Sequence, residues 1–320
     1  MIRYIVRRLL LMVPVALLVT VAVFALARLS PADPVLIFAG EERDPAVLAA
    51  IRTELGLDQP LPVQYVAWLS RALQGDLGRS FQSKQKVLEA ITERLPATFE
   101  LGIAALFISI TLALIVGILA AVKRNSVVDL LSSSVTLMGV SFPSFFLGIV
   151  LILLFAYVIP GHIFPPGGYV PIAQDVGENL RRLVLPAVTL AAGSLAVNVR
   201  QIRSSLLDVF GQEYMLTARA KGLRETTIVI RHALKNALIP VVTLIGIQIG
   251  AIIEGAFITE TIFFWPGIGR LAVQAIPSQD YPVVQGVVLV SAISFMVSTL
   301  VVDVLYAWLD PRISYEKVNA

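Results

Sequence analysis

The chain contains no cysteine, and only two of its 320 residues, His162 and His232, are histidine. Without thiols there is no disulfide framework, no thiolate metal site and no thiol nucleophile, and two widely separated histidines offer little from which to build a zinc or Cys/His centre. Charge is scarce as well. Charged residues make up 15% of the chain and hydrophobic ones 57%, against about 25% and 45–50% in an ordinary soluble domain. At a mean hydropathy of +0.83 too little polar surface remains to dissolve a core of this size, so the expected solvent is lipid. No G-x-x-x-x-G-K-[ST] string occurs, so the chain has no P-loop, and work driven by ATP would need the nucleotide site of another chain.

Six apolar stretches approach the roughly 20 residues that a helix needs to cross a bilayer: Leu9 to Ala27, Leu101 to Val122, Leu137 to Val158, Leu183 to Val199, Ala237 to Thr259 and Val283 to Leu305. They lack the alternation of barrel strands, which leaves helices as the way to satisfy the backbone in lipid. The expectation is an all-α polytopic membrane protein with six transmembrane helices. Its parts are an anchor helix over 1–28, an outward-facing helical subdomain over 29–98 and a five-helix core over 99–320. The net charge of +3 and pI of about 9.2 matter less than where the basic residues lie. With the N-terminus inside, Arg3, Arg7, Arg8, Lys123, Arg124, the run from Arg200 to Lys235, Arg312 and Lys317 are all cytoplasmic, while the short outer loops keep only Arg181, Arg182 and Arg270. Both termini are therefore expected in the cytoplasm. Arg3, Arg7 and Arg8 before an apolar run ending in Ala25-Leu26-Ala27 also spell a secretory signal peptide, but the run is longer than the usual 7–15 residues and favours an anchor.

Between the first two stretches three short helices are expected. One is capped by Asp44 with Pro45 at its first position, Gly56 beyond its end and Val47, Leu48, Ile51 and Leu55 on one face. A second runs from Pro62 to Gln74 before Gly75 with Val66, Leu69 and Leu73 inward, and a third covers Lys86 to Leu95, ended by Pro96. This subdomain reads either as a cap over the helix ends or as a docking surface for a soluble partner. On the inner side, 200–236 is too long for a simple helix connection. Glu213 to Lys221 reads as a short helix with small Ala218 and Ala220, stopped by Gly222 in a left-handed turn, and a new helix follows from Glu225. One reading makes it a docking element. Another makes it an interfacial helix whose Arg219, Lys221 and Arg224 meet anionic headgroups.

Acidic residues inside apolar stretches cost about 2.5–3.5 kcal/mol at a helix centre and ask for a reason. Glu254, together with Glu260 near the mouth of the fifth stretch, is a candidate for lining a pathway, and Asp303 suits an interfacial or interhelical hydrogen bond. Gly267 to Ala272 matches the loose pattern G-x-G-x-x-A but follows Trp265-Pro266 rather than a strand, so it reads as a turn and not as a dinucleotide site.

The string from Glu213 to Gly222 (E-Y-M-L-T-A-R-A-K-G), followed by Arg231 to Ala237 (R-H-A-L-K-N-A), resembles the inner-loop signature E-A-A-x-x-x-G-x9-I-x-L-P of ABC importer permeases. It is most similar to the dipeptide/oligopeptide/nickel branch. Ala218, Gly222 and Leu234 match the general signature, whereas Leu216 and Thr217 stand at its Glu and first Ala, and His232 and Lys235 at its Ile and Pro. Further similar strings run along the chain: Tyr4 to Leu10, Leu55 to Pro60, Gly75 to Gly78, Arg94 to Thr98, Ser141 to Phe145, Trp265 to Arg270, Asp280 to Gln285 and Asp310 to Arg312. The resemblance implies a permease subunit of the bacterial inner membrane that is not itself an enzyme. It would work with a second homologous permease, two ATPase subunits that hold ATP and Mg, and a periplasmic or lipid-anchored substrate-binding protein. No cofactor or metal of its own and no nucleic-acid partner are implied. Glu213, Tyr214, Leu216, Thr217, Ala218, Ala220, Lys221 and Gly222 would form the coupling loop that docks on the ATPase. Short peptides are the expected cargo, with nickel chelates or glutathione as alternatives. From the residues alone, a solitary secondary transporter and a membrane scaffold stay open, although neither internal repeats nor paired intramembrane charges are evident.

Overall fold

A computed structural model describes residues 2–29, 33–160, 163–250 and 252–309. Among them there is no strand beyond one isolated bridge between Arg79 and Lys86. The apolar stretches lie in helices, and the first, second, fourth and sixth lie in helices longer than the stretches that announce them. Helix α1 covers Ile2–Leu29, and α2 (Pro34–Ala39), α3 (Pro45–Glu54) and α4 (Leu61–Leu73) follow it. The second stretch lies in α5 (Val87–Val122) and the third in α6 (Val127–Ser141) and α7 (Ser144–Ile152), which continues as a π-helix over Leu153–Val158. The fourth lies in α8 (Val176–Phe210). The inner segment forms α9 (Glu213–Ala220), α10 (Glu225–Thr227) and a π-helix over Ile228–Ala233 that runs into α11 (Leu234–Gly250). Helices α12 (Ile252–Ile262), α13 (Ile268–Ala275) and α14 (Tyr281–Leu309) complete the chain.

Five helices are long and apolar enough to cross a membrane: α1, α5, α8, the segment 225–250 and α14. The third stretch is the exception because it is broken. Phe142 precedes Pro143, and the clash of the proline ring with the preceding residue drives Phe142 to φ −85°, ψ 130°. Neither α6 nor the segment from Ser144 to Val158 reaches crossing length alone. Pro96 does the opposite of what is expected of it. Instead of ending a helix at Leu95 it lies inside α5. It removes one backbone donor, but the residues beyond it are held from outside the helix: the Trp265 indole donates to the Ala97 carbonyl at 2.8 Å and the Ile268 N–H to Thr98 Oγ1 at 2.9 Å.

At about 1.5 Å per residue the 36 residues of α5 reach about 54 Å, well beyond the roughly 30 Å of hydrocarbon. Its outer end packs Val87 and Ile91 against Ile268, Ala272 and Val287. Its inner half packs Ala113 and Ala121 against Val199, Ile202 and Leu206 of α8. Where these two helices press closest, a Cβ on Gly117 would come to 2.9 Å from the Ile202 side chain and 3.2 Å from the Val199 carbonyl.

Two of the three short helices expected between the first two stretches form as their punctuation predicts, α3 and α4, while the third is the start of α5. Asp44 accepts the Ala46 N–H at the start of α3, and Gly56 and Gly75 take positive φ beyond α3 and α4. The inward face of α4 differs from expectation. Val66 and Leu73 are 64% and 81% exposed, and Tyr65 and Trp68 pack on Phe24 of α1 instead, with ring centroids 5.5 and 5.9 Å away. The 78–86 loop is clamped to the core by Asp280, which is buried and accepts from Ser80 Oγ, from the Phe81 N–H at 2.9 Å and from the Gln82 N–H at 3.4 Å.

Candidate functional site

The elbow that follows α8 is built on two residues one helical turn apart. Met215 and Ala218 of α9 are buried in the cluster formed by Leu206, Ile228, Ala233 and Val241. Full burial of a side chain such as Met215 contributes about 1.5–3 kcal/mol. The i, i+3 spacing spends one side of α9 on the bundle and turns the rest outward. Glu213, Thr217, Ala220, Lys221 and Gly222 are exposed, and so are Tyr214 at 40% and Leu216 at 63%. Ala218 therefore belongs to the inward side of the predicted set and the other seven residues to the outward side. Two polar ties hold the elbow: Asn236 Nδ2 donates to the Tyr214 hydroxyl at 2.9 Å, and Arg219 Nε donates to Glu225 Oε1 at 2.9 Å, bridging the turn. Gly222 sits in that turn at φ +74°, and nothing lies within 4 Å of a Cβ placed on it. Backbone conformation, not crowding within the chain, is what calls for glycine there.

Behind the elbow Arg203 of α8 makes a bidentate pair with Asp129 of α6, with Nε–Oδ1 at 2.6 Å and Nη2–Oδ2 at 2.8 Å. Asp129 also accepts the Asn125 N–H at 3.0 Å. The Arg203 hydrogen bond, followed by that backbone N–H, holds the Asp129 carboxyl down to about 2. The pair fastens the first turn of α6, ahead of the third stretch, to the rod that leads into α9.

At the opposite end of the bundle from the elbow Glu260 is fully buried. Its carboxylate accepts from Thr98 Oγ1 at 2.7 Å and from the Arg270 N–H at 2.9 Å, so it occupies the anion position at the N-terminus of α13. A Cβ on Gly267 would fall 2.0 Å from Glu260 Oε1. The Gly267 to Ala272 pattern is thus a turn into a short helix whose first glycine makes room for a carboxylate. Tyr169 stacks edge-on to Trp265 at 4.7 Å and donates to Glu100 Oε2 at 3.0 Å. Burial first, and the Glu100 carboxylate second, push its phenol up to about 12. Glu254 lies on α12, but its side chain falls outside the described residues, as do the side chain of Asp303 and the strings at His162 and Asp310 to Arg312. The structure does not bring the elbow and Glu260 together, since they mark opposite ends of the bundle.

Between them lies a polar node that the attention to ionisable groups passes over. Asn198 of α8 and Gln248 of α11 exchange amide hydrogen bonds at 3.1 and 3.0 Å, and Asn198 Nδ2 also donates to Ser109 Oγ of α5 at 3.0 Å. Asn198 is buried. Its signal in the sequence is a neutral amide in each of two apolar stretches, which hydrogen-bonding needs in lipid would join.

Comparison with known proteins covers nearly the whole chain. The profile of the family described as binding-protein-dependent transport system inner membrane component matches residues 113–315, and that of the corresponding N-terminal membrane component matches residues 1–102. The glutathione transport system permease protein GsiC of Salmonella paratyphi A is 41% identical over 316 residues, which cover 99% of this chain and 100% of the relative. The GsiC protein of Escherichia coli strain K12 is 40% identical with the same coverage. With a family profile over most of its length and full-length relatives at this identity, the chain belongs to the binding-protein-dependent transport inner membrane component family, as a multi-pass bacterial inner-membrane permease of an ABC importer in the dipeptide, oligopeptide, nickel and glutathione branch.

Proposed function

We propose that this chain forms, with a second homologous permease, the pathway by which a short peptide crosses the inner membrane, and that glutathione, a tripeptide, is the first cargo to test. The relatives named as glutathione transport permeases support that cargo. In this reading the chain crosses six times with both termini inside, the third crossing being the broken pair α6 and α7. Residues 29–98 face the periplasm, where a free or lipid-anchored binding protein delivers substrate, and two ATPase subunits supply ATP and Mg from the cytoplasm. The observation that carries the reading is the elbow. Residues Glu213, Tyr214, Leu216, Thr217, Ala220, Lys221 and Gly222 form an exposed outward ridge among the described residues, standing on a base fixed by Met215 and Ala218. A motor that grips this ridge in one nucleotide state more tightly than in another shifts the bundle between two arrangements.

The test is to co-express the chain with its genetic neighbours, purify the assembly in detergent and reconstitute it with the binding protein. ATP hydrolysis is then measured with glutathione, with unmodified tripeptides and with dipeptides. Stimulation by glutathione at the lowest concentration is expected. A preference for dipeptides would move the cargo within the class, and a chain that emerges with no ATPase bound in any nucleotide state would overturn the class.

A further inference from the structure

Where the outer end of α1 meets α4 and the start of α14, two cavities join. The lower one, of about 180 Å³, is apolar and has no charged residue in its lining; Val23 and Leu26 of α1 and Val284 and Val288 of α14 form its walls. The upper one, of about 300 Å³, is lined by Arg28, Arg71 and Arg79 among the aromatic rings of Trp68, Phe81 and Tyr281. The two share Ala27, Tyr281 and Gln285, and Gln285 Nε2 reaches across to the Val23 carbonyl at 3.4 Å. An apolar slot therefore lies directly beside a basic, aromatic-walled chamber, the two sharing these three residues.

The charges of the chamber are not settled internally. Arg28 lies over the Phe24 ring at 5.2 Å, and its Nε is buried with no hydrogen-bond partner. Glu54 and Asp76 also line the chamber, but Asp76 spends Oδ1 on the Gly78 N–H at 2.9 Å. Among the described residues, neither carboxylate is in an ion pair with Arg28, Arg71 or Arg79. Three guanidinium groups against two carboxylates leave the chamber net positive. Its neighbours have the character of a membrane–water boundary. Tyr65 and Trp68 sit at the end of the apolar run of α1, where amphipathic rings favour the headgroup level. Helix α4 turns Val63, Val66 and Leu73 outward, as a helix lying in that boundary does.

We infer that the joined cavities hold a phospholipid, with an acyl chain in the slot between α1 and α14 and its phosphate in the chamber against Arg28 and Arg71. Charge complementarity selects the headgroup and the apolar slot selects a chain-bearing molecule over a free anion. The bound lipid would fill the seam between the anchor helix and the outer subdomain, so the inference depends on the membrane setting and not on the identity of the cargo.

The full chain, in its purified assembly, is placed in phosphatidylethanolamine vesicles doped with a phosphatidylglycerol that carries a photoactivatable group on one acyl chain. After illumination the labelled peptides are mapped. Label concentrated on 23–29 and 281–288 is expected. It should fall about fivefold with Arg71→Gln, the factor for one cation near an anionic headgroup, while Lys86→Gln leaves it unchanged. Because Arg28 is partly buried and its loss could disturb folding, Val288→Trp serves as a second variant. It plugs the slot from a partly exposed position and should remove the label while ATPase assembly persists. Equal labelling by a photoactivatable diacylglycerol, or loss of label on adding inorganic phosphate, would overturn the proposal, as would label that ignores both Arg71→Gln and Val288→Trp.

Discussion

Gly222 allows conformation to be separated from contact. Its φ of +74° lies in the left-handed region, and no atom of the described residues lies within 4 Å of an added Cβ, so the cost of a side chain there against those residues is backbone cost alone. For an ordinary residue that is about 1–2 kcal/mol, less for asparagine, and up to about 3 kcal/mol for a bulky or β-branched one. The turn is held by the Gly222 N–H to the Arg219 carbonyl at 2.9 Å and by the Arg219–Glu225 pair. If the turn positions α9 for a motor, Gly222→Asn, Gly222→Ala and Gly222→Val should lower the ratio of substrate transported to ATP hydrolysed in that order. The expected losses are about twofold for Asn, about five- to thirtyfold for Ala and more for Val, as these energies are spent against docking. Membrane insertion, measured by fractionation, should be unchanged in all three, because Met215 and Ala218 still anchor the helix. The assay is paired transport and phosphate release in proteoliposomes. Normal coupling by Gly222→Val would refute the role of the elbow. Losses that follow side-chain volume, with Asn worse than Ala, would refute the conformational argument and point to a partner surface pressed on Gly222.

Glu260→Gln should lower the thermal stability of the detergent-purified protein by about 2–4 kcal/mol, since a carboxylate that accepts from Thr98 and from the start of α13 becomes an amide presenting N–H groups to donors. An unchanged melting temperature would mean that Glu260 does not hold this end together. Asp129→Asn should cost about 1–3 kcal/mol, discounted from a fully buried pair because the Arg203 side chain is 30% exposed. The Asp129 carboxyl is depressed to about 2, so the contribution of the pair is present above its ordinary pKa near 3.8 and is lost as pH falls through 2. The stability gap between wild type and Asp129→Asn should accordingly be constant from pH 8 to pH 5 and close only below about 4. A gap that closes near pH 6 would assign the effect to another group.

How far the sequence discloses this architecture depends on the range of each interaction. The α3 cap at Asp44, the left-handed Gly56, Gly75 and Gly222, and the short α9 are local features, and their residues announce them. Pro96 and Pro143 show where local reading ends. Both are prolines in apolar surroundings, yet α5 continues through one and the third stretch breaks at the other. The difference lies in Trp265 and Ile268, which hold Ala97 and Thr98 from about 170 positions away, while Phe142 turns extended. The strings R-L-P-A-T and W-P-G-I-G-R look like separate signatures in the chain, but Thr98, Glu260 and Gly267 make them two sides of one contact. A rule for helices in water places Val66 and Leu73 inward; α4 instead packs Tyr65 and Trp68 on Phe24 and leaves these outside. Two buried positions in eight residues make too short a pattern for the sequence to distinguish buried Met215 from exposed Leu216.

The elbow, the amide node and the outer lock are joined by α5 and α8. Helix α8 runs 35 residues from Val176 to Phe210, with Asn179 donating to Glu100 at 2.6 Å near one end, Asn198 bound to Ser109 midway and Met215 just beyond the other. A push on α9 therefore reaches the outer side if α5 and α8 move as one body, which rests on their close approach at Gly117. Gly117→Ala would place a carbon 2.9 Å from Ile202 Cβ, an atom fixed to the backbone that cannot swing aside, so the helices must part by a few tenths of an ångström at a cost of about 1–3 kcal/mol. Gly193→Ala on the same rod meets nothing within 4 Å in this chain and should be neutral, or stabilising by up to about 1 kcal/mol, in the isolated subunit. Thermal unfolding of both variants checks the packing, and the transport-to-hydrolysis ratio checks the lever. If Gly117→Ala lowers stability but leaves that ratio intact, the two helices hold the bundle together without transmitting the motion, and the coupling path must run through α11 and the node at Gln248 instead.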